Sequence, residues 1–227
     1  MSFAVPAEAY DRFMGRYSRL LAPLFADFAG LAAGQRVLDV GCGPGALTTE
    51  LVRRIDPGEV SAVDPSETFV AAARQRHPDV DVRQAAAEHL PFTDRTFDAT
   101  FAQLVVHFMS DPVAGLREMA RVTRSDGRVA ACVWDNDGGH GPLKPFWEAA
   151  RQLDPAVDTE SGRAGARRGH LARLMRQAGL RDVEETTLSV RVEHPSFEEW
   201  WDPFTLGGAA VRYPVSRSVA SSAVALG

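Results

Sequence analysis

The nine residues Val37-Leu38-Asp39-Val40-Gly41-Cys42-Gly43-Pro44-Gly45 read as a buried strand running straight into a glycine-rich turn. A helix follows, with Leu47, Leu51 and Ile55 at a four-residue spacing. Strand, turn and helix together make a nucleotide-cofactor pocket at the carboxyl end of a parallel sheet. Glycines at the turn let backbone approach a ligand, because no Cβ stands in the way.

The spacing does not choose the nucleotide. Gly41, Gly43 and Ala46 satisfy the dinucleotide pattern G-x-G-x-x-G/A, and Gly41, Gly43 and Gly45 satisfy the tighter G-x-G-x-G. Asp39 says more. A carboxylate two residues before the first glycine would repel a pyrophosphate and suits a ligand that presents an ammonium group there, such as the methionine part of S-adenosylmethionine. Its plainer use is to accept backbone N–H bonds within the turn. Glu59-Val60-Ser61-Ala62-Val63-Asp64 then ends in a second carboxylate 19 residues after Gly45, at the place where an acidic side chain takes both hydroxyls of a ribose. Alone, Asp64 would be a turn or cap residue; its register with the glycine turn favours the ribose. Pro65 and Ser66 start the next helix, with Phe69, Ala72 and Ala73 on its apolar side.

From Tyr10 to about Trp134 the chain resembles the class I S-adenosylmethionine-dependent methyltransferases of the type 11 group, which includes quinone-pathway enzymes. The segments that carry the resemblance are VLDVGCGPG at 37–45, SAVDPS at 61–66, AAAEHLPF at 85–92, TFDATFAQLVVHF at 96–108 and REMARVTRSDGRVAACVW at 117–134. The resemblance implies a Rossmann-like, doubly wound, mostly parallel α/β sheet with flanking helices. It places Gly41, Cys42 and Gly43 at the methionine end of the cofactor, Asp64 on the ribose, and Pro65 and Ser66 near the adenine. The segment that reaches the adenine amino group maps to Ala86, Ala87 and Glu88. The family's usual Asp is Ala86 here, so backbone at Ala87 is left to serve. The stretch Ala102-Gln103-Leu104, after the fourth strand, passes close to the methionine chain.

Composition fits one ordinary globular domain. The 227 residues are 45% hydrophobic and 24% charged, enough for a sizeable core. A net charge of -5 with no block of Lys or Arg gives no nucleic-acid footprint. No apolar run is long enough to span a bilayer, and the start lacks the layout of a signal peptide. Cys42 and Cys132 suggest reduced thiols in a cytoplasm. The six histidines show no metal-ligand spacing, so no metal is expected.

The expected layout is a single domain over 1–206, with a helical lid at 1–31, a cofactor-binding core at 36–134, and substrate-side helices with a sixth strand at 135–206. Strands are expected over Val80–Ala85, Phe97–Phe101, Arg128–Trp134 and Val183–Val192. Asp111 and Pro112 read as a capped helix start, and Gly127 as a break before the fifth strand. Residues 8–31 read as a helical pair broken near Pro23, with Tyr10 and Arg16 as lid residues over the cofactor. Further helices are expected near 146–153 and 168–178, and a capped turn with two tryptophans over Ser196–Trp201. After Trp201 the composition turns small and polar, so 207–227 reads as a disordered or atypical tail. The closing antiparallel seventh strand of such sheets is then missing, through truncation or a shifted frame near Leu206. An open edge of that kind invites association of copies.

The expected activity is methyl transfer from S-adenosylmethionine to a small-molecule acceptor, with neither nucleic acid nor membrane as partner. The fourth strand is followed by AQLVVH, not the Asn/Asp-Pro-Pro-aromatic tetrad of base-amino methylation. Alignment does most of the work in such a displacement and supplies roughly 7–11 kcal/mol. His107 is the candidate general base, and packing is its plainer role. Trp134, Phe146 and Trp147 either line an aromatic acceptor pocket or fill core. Two other readings remain: an NAD-dependent oxidoreductase, and a domain that binds the cofactor without turnover.

Overall fold

The structure, a computed structural model, describes residues 6–138, 140–157 and 162–205. Its centre is a sheet of five parallel strands: β1 (Val37–Val40), β2 (Val60–Asp64), β3 (Asp81–Gln84), β4 (Phe97–Gln103) and β5 (Thr123–Cys132). Helices α1 (Ala7–Tyr10) and α2 (Arg16–Phe28) precede it. Helices α3 (Ala46–Arg54), α4 (Glu67–Arg76) and α5 (Pro112–Val122) alternate with the strands. Helices α6 (Lys144–Leu153), α7 (His170–Gln177) and α8 (Phe197–Thr205) follow.

β1 and β2 are buried along their whole length, so their sequences are mostly apolar and do not alternate. Two carboxylates, Asp39 and Asp64, break that run at its carboxyl end, where each has a specific partner. Local chemistry starts the helices: Ser66 Oγ accepts from Phe69 N–H at 3.4 Å to cap α4, and Asp111 Oδ1 accepts from Ala114 N–H at 3.0 Å to cap α5. Pro112 fits the first position of α5, where its missing N–H leaves no bond unmade.

The strand order is β3-β2-β1-β4-β5. The chain steps outward from β1 to β3, then crosses back to β4 on the other side of β1. The crevice at the carboxyl ends of β1 and β4 is therefore the topological switch point, where open α/β sheets hold ligands. One sheet face is covered by α2, α3 and α4 through Phe25, Leu47, Leu51 and Val70. The other is covered by α5 and α7 through Leu116, Met119, Leu174 and Met175. Each such buried side chain contributes roughly 1.5–3 kcal/mol of transfer free energy.

Several expectations are corrected. Val183–Val192 forms no strand. A groove of about 1140 Å³ lies between this segment and β5. The segment is mostly exposed, with Val183 and Leu188 packing on the core from its described residues, so pairing it would bury little. The helix does not break at Pro23, which sits inside α2 because Leu21, Ala22, Phe25 and Ala26 hold both sides of it in the core. The irregularity comes earlier, as a π-helical turn at Asp11–Gly15. β5 begins at Thr123, before Arg128. Thr123 pairs Phe97 while Arg128 pairs Ala99, so Arg124–Gly127 bulges out of the ladder. α8 runs on to Thr205, past the expected turn. β3 and β4 lie where expected to within two residues, as do α6 and α7. The tail at 207–227 and any closing strand in it lie outside the described residues.

Candidate active site

The glycine turn is pinned to β2: Gly41 N–H and Cys42 N–H both donate to Val63 O, at 2.8 and 2.9 Å. Gly41 has φ +72°, and a Cβ there would stand 2.2 Å from Val105 Cγ2. Gly41→Ala therefore meets both a left-handed backbone and a methyl overlap. We expect it to destabilise the fold by roughly 2–4 kcal/mol, read as a fall in thermal midpoint. A midpoint within about 2 °C of wild type would show that the turn relaxes freely.

Asp39 is 1% exposed, and Thr48 Oγ1 donates to its Oδ2 at 2.7 Å. Burial, with a smaller push from Asp64, raises its pKa from 3.8 to about 7. Asp64 is 6% exposed; its Oδ2 accepts from Gly43 N–H at 2.9 Å and its Oδ1 from Ser66 N–H at 2.8 Å. Burial raises its pKa too, and the two backbone bonds oppose that rise. Two carboxylates in a dry crevice make a place that favours a cation.

Gln103 ends β4 above the same crevice. Its Nε2 donates to Ser18 O at 3.1 Å, while its Oε1 is buried and has no hydrogen-bond partner among the described residues. A buried acceptor left unmade costs roughly 1–3 kcal/mol unless a ligand supplies the donor. The next residue, Leu104, has φ +61°, a costly backbone for a bulky residue and one that gathers at functional sites. Tyr10, Asp11, Gly15 and Ser18 close the crevice from above, leaving a cavity of about 30 Å³ against Asp39, Gly41, Gly43 and Gln103. The Tyr10 ring packs on Phe69 at 5.1 Å and stands 4.0 Å from where a Cβ on Gly43 would be. Arg76 ties this cover down, donating to Asp11 Oδ2 and to Pro44 O, each at 2.6 Å.

Other expected site residues are placed as follows. Cys42 is buried in the turn, its thiol pushed well above the usual range by burial, which leaves it inert as a nucleophile at neutral pH. Pro65 follows Asp64, and its carbonyl accepts from Gln84 Nε2 at 3.1 Å. Ala86 is half-buried in a turn closed by His89 N–H on Ala86 O, and Ala87 is buried under α5. The Glu88 carboxylate faces α5, accepting from Ser110 N–H at 2.7 Å and Asp111 N–H at 3.2 Å. Arg16 turns from the cavity toward Glu199, 3.1 Å away. His107 stacks on Phe108 at 4.0 Å, and burial with nearby Arg163 holds its pKa down at about 3. Phe146 and Trp147 fill an aromatic cluster with Phe13 and Phe204, whereas Trp134 packs edge-on against Tyr17. No metal-binding group occurs among the described residues. Sequence reasoning missed Thr48 and Arg76. A hydroxyl in the first turn after the glycines was a signal for Thr48; Arg76 gave none.

Residues 38–131 match the family model described as a methyltransferase domain. Over that stretch, residues 38–131, the chain carries a methyltransferase domain of the class I S-adenosylmethionine-dependent kind. A demethylmenaquinone methyltransferase of Paenarthrobacter aurescens is 29% identical over 73% of this chain and 70% of its own. A malonyl-[acyl-carrier protein] O-methyltransferase of Erwinia billingiae is 32% identical over 65% of this chain and 57% of its own. A crystal structure from Thermotoga maritima, titled an S-adenosylmethionine-dependent methyltransferase and possible histamine N-methyltransferase, is 26% identical. It superposes with a TM-score of 0.52 and covers 76% of this chain and 80% of its own. This chain spans 46% and 57% of two of the curated relatives it matches, about half their length.

S-adenosylmethionine is the cofactor of this methyltransferase domain. The residues at the switch point fit it chemically: a turn free of Cβ atoms, two buried carboxylates and the orphaned Gln103 oxygen. Its sulfonium and ammonium charges suit the carboxylates. The cavity of about 30 Å³ holds a water or two, less room than the ~300 Å³ at which ligand pockets start.

Proposed function

We propose that this chain transfers a methyl group from S-adenosylmethionine to a small-molecule acceptor. The observation that carries this reading is the pair of buried carboxylates, Asp39 and Asp64, flanking the glycine turn at the switch point. Bound cofactor supplies an electrophilic methyl group on a positive sulfur. Asp64 is set to accept from the ribose hydroxyls, since each of its oxygens keeps a lone pair beyond the backbone bond it already accepts. Asp39 and Gln103 Oε1 face the ammonium end. The demethylmenaquinone and malonyl-[acyl-carrier protein] methyltransferases among the relatives favour an acceptor that is a small organic molecule. Domain boundaries follow the same reading: residues 7–28 cover the site, the sheet binds cofactor, and α6 to α8 stand on the acceptor side.

Calorimetry with S-adenosylhomocysteine and with NAD tests the cofactor, and methyl transfer to an acceptor panel tests turnover. Binding of NAD in preference to S-adenosylhomocysteine would overturn the reading. S-adenosylhomocysteine binding with no transfer to any acceptor would favour a binding domain.

Residues 7–28 act as the lid, with Arg76 as its latch. Arg76→Ala removes both bonds to Asp11 and Pro44, and is expected to raise the association rate of S-adenosylhomocysteine several-fold. Part-exposed pairs of this kind contribute about 0.2–1 kcal/mol each. Stopped-flow fluorescence from the tryptophans reads the rate. An unchanged association rate would mean that the segment opens without reference to Arg76.

A further inference from the structure

Four side chains meet above the carboxyl end of β5, beside the cavity but outside its wall. His194 stands just before α8, Glu199 lies within α8, and Arg16 and Tyr17 come from α2. Glu199 Oε2 is 2.5 Å from His194 Nδ1, and Tyr17 Oη is 3.4 Å from His194 Nε2. Arg16 Nη1 donates to Glu199 Oε1 at 3.1 Å and stands 3.2 Å from His194 Nδ1. Glu199 and Arg16 both meet Nδ1 of the ring, and the carboxylate, which can only accept, is the nearer at 2.5 Å against 3.2 Å, so we assign the ring proton to Nδ1 toward Glu199, with Arg16 donating to Glu199. The Nε2 lone pair then faces Tyr17.

Helix capping alone does not explain Glu199. Ser196-Phe197-Glu198-Glu199 is a capping-box sequence, and Ser196 Oγ accepts from Glu199 N–H at 3.2 Å. The box predicts that the Glu199 carboxylate folds back on the cap. It reaches instead to His194 and Arg16. The cluster also touches the proposed site. Trp134, two residues beyond β5, packs edge-on against the Tyr17 ring at 6.2 Å. Ser18, next to Tyr17, lines the cavity and accepts from Gln103.

We propose that His194 is the general base for a hydroxylated acceptor, with Glu199 as the residue that positions it and Tyr17 and Trp134 as an aromatic wall for the acceptor ring. In the step, the acceptor O–H bond breaks, its electron pair stays on oxygen, and the proton bonds to His194 Nε2. Glu199 balances the imidazolium, and Tyr17, kept protonated by burial, does not compete for the proton. His107 does not compete either: a ring held neutral down to pH about 3 takes protons poorly near neutrality. The proposal rests on the methyl-transfer reading above.

The test measures transfer of radiolabelled methyl from S-adenosylmethionine to 1,4-naphthohydroquinone, catechol, 4-nitrocatechol and 2-phenylethylamine. It uses wild type, His194→Ala, His194→Gln and Glu199→Gln. Wild type is expected to methylate naphthohydroquinone or catechol, and both His194 variants to lose roughly 10²–10⁴-fold in kcat. The loss should shrink for 4-nitrocatechol, whose hydroxyl ionises near neutral pH without help. Affinity for S-adenosylhomocysteine should stay within about twofold, and Glu199→Gln should cost at least ~10-fold. Nitrogen-15 NMR of the histidine rings gives a readout free of turnover: the His194 proton should sit on Nδ1 in wild type and lose that preference in Glu199→Gln. Equal losses on catechol and 4-nitrocatechol, a proton on Nε2, transfer only to the amine, or transfer to no acceptor would each overturn the base. Failure of wild type to bind S-adenosylhomocysteine would instead remove the methyl-transfer reading, and the base with it.

Discussion

Asp64→Ala is expected to weaken S-adenosylmethionine binding by at least ~100-fold. Two hydrogen bonds from the ribose to a charged acceptor are lost, each worth roughly 1.5–3 kcal/mol, and each ~1.4 kcal/mol is a factor of ten. The structure adds a second route to the same loss. Asp64 also accepts from Gly43 N–H and Ser66 N–H, so its removal leaves two donors without partners and loosens the turn that must meet the ligand. Asp64→Asn separates the two effects in part, because its remaining carbonyl oxygen can hold one backbone bond while the charge is gone. Calorimetry on variants shown by circular dichroism to be folded gives the measurement. A dissociation constant unchanged in folded Asp64→Ala would remove the ribose assignment.

The second large effect is a pH dependence. Burial raises Asp39 from 3.8 to about 7, so between pH about 4 and about 7 the native chain holds a proton that the unfolded chain has released. The stability that Asp39 contributes is therefore greatest below pH about 4, falls as pH rises to about 7 and is flat above, while His107, lowered from 6.5 to about 3, adds a slope of the opposite sign between those two values. A rise of about 3 units corresponds to at most ~4 kcal/mol across that window. Asp64 is raised as well and adds a slope of the same sign as Asp39. Asp39→Asn stays neutral throughout, keeps the Thr48 hydroxyl as a neighbour and removes the Asp39 part, so its stability relative to wild type should rise by up to ~4 kcal/mol from pH 4 to pH 8. At pH 8 it should be more stable than wild type and bind S-adenosylmethionine more weakly, because the ammonium group loses its counter-charge. Denaturant unfolding from pH 4 to pH 8 decides this. A stability difference between wild type and Asp39→Asn that stays constant from pH 4 to pH 8 would place the titration elsewhere. Binding of a cation beside Asp39 pulls its pKa down, so S-adenosylmethionine binding to wild type near pH 6.5 should release protons into the buffer.

Much of the fold was legible because parallel strands buried on both faces leave an unmistakable run of apolar residues. β1, β2 and β4 were plain from Val37–Val40, Val60–Val63 and Phe97–Phe101, and the caps at Ser66 and Asp111 bounded their helices. The segment at 183–192 misled because Val183, Leu188, Val190 and Val192 supply β-formers without the buried face that pairing needs. Pro23 misled in the opposite direction: a proline lowers helix stability locally, but the packing of α2 on either side of it outweighs the lost bond.

By itself the sequence determined a parallel α/β sheet, a glycine turn after β1 and carboxylates at the ends of β1 and β2. These are local properties: strand burial, turn chemistry and the distance between two acidic residues are all written in short stretches. Only the tertiary structure decided that Gln103 carries an unpaired buried oxygen into the crevice, that Arg76 fastens the N-terminal helix over it, and that His194 meets Glu199 and Tyr17. Those contacts join residues 65 or more positions apart in two of the three cases, Asp11 with Arg76 and Tyr17 with His194. No local preference of the chain encodes such pairings. They arise because the β1–β4 crossover and the packing of α2 bring the elements together, and the chemistry of the site is set by which side chains that packing leaves buried side by side.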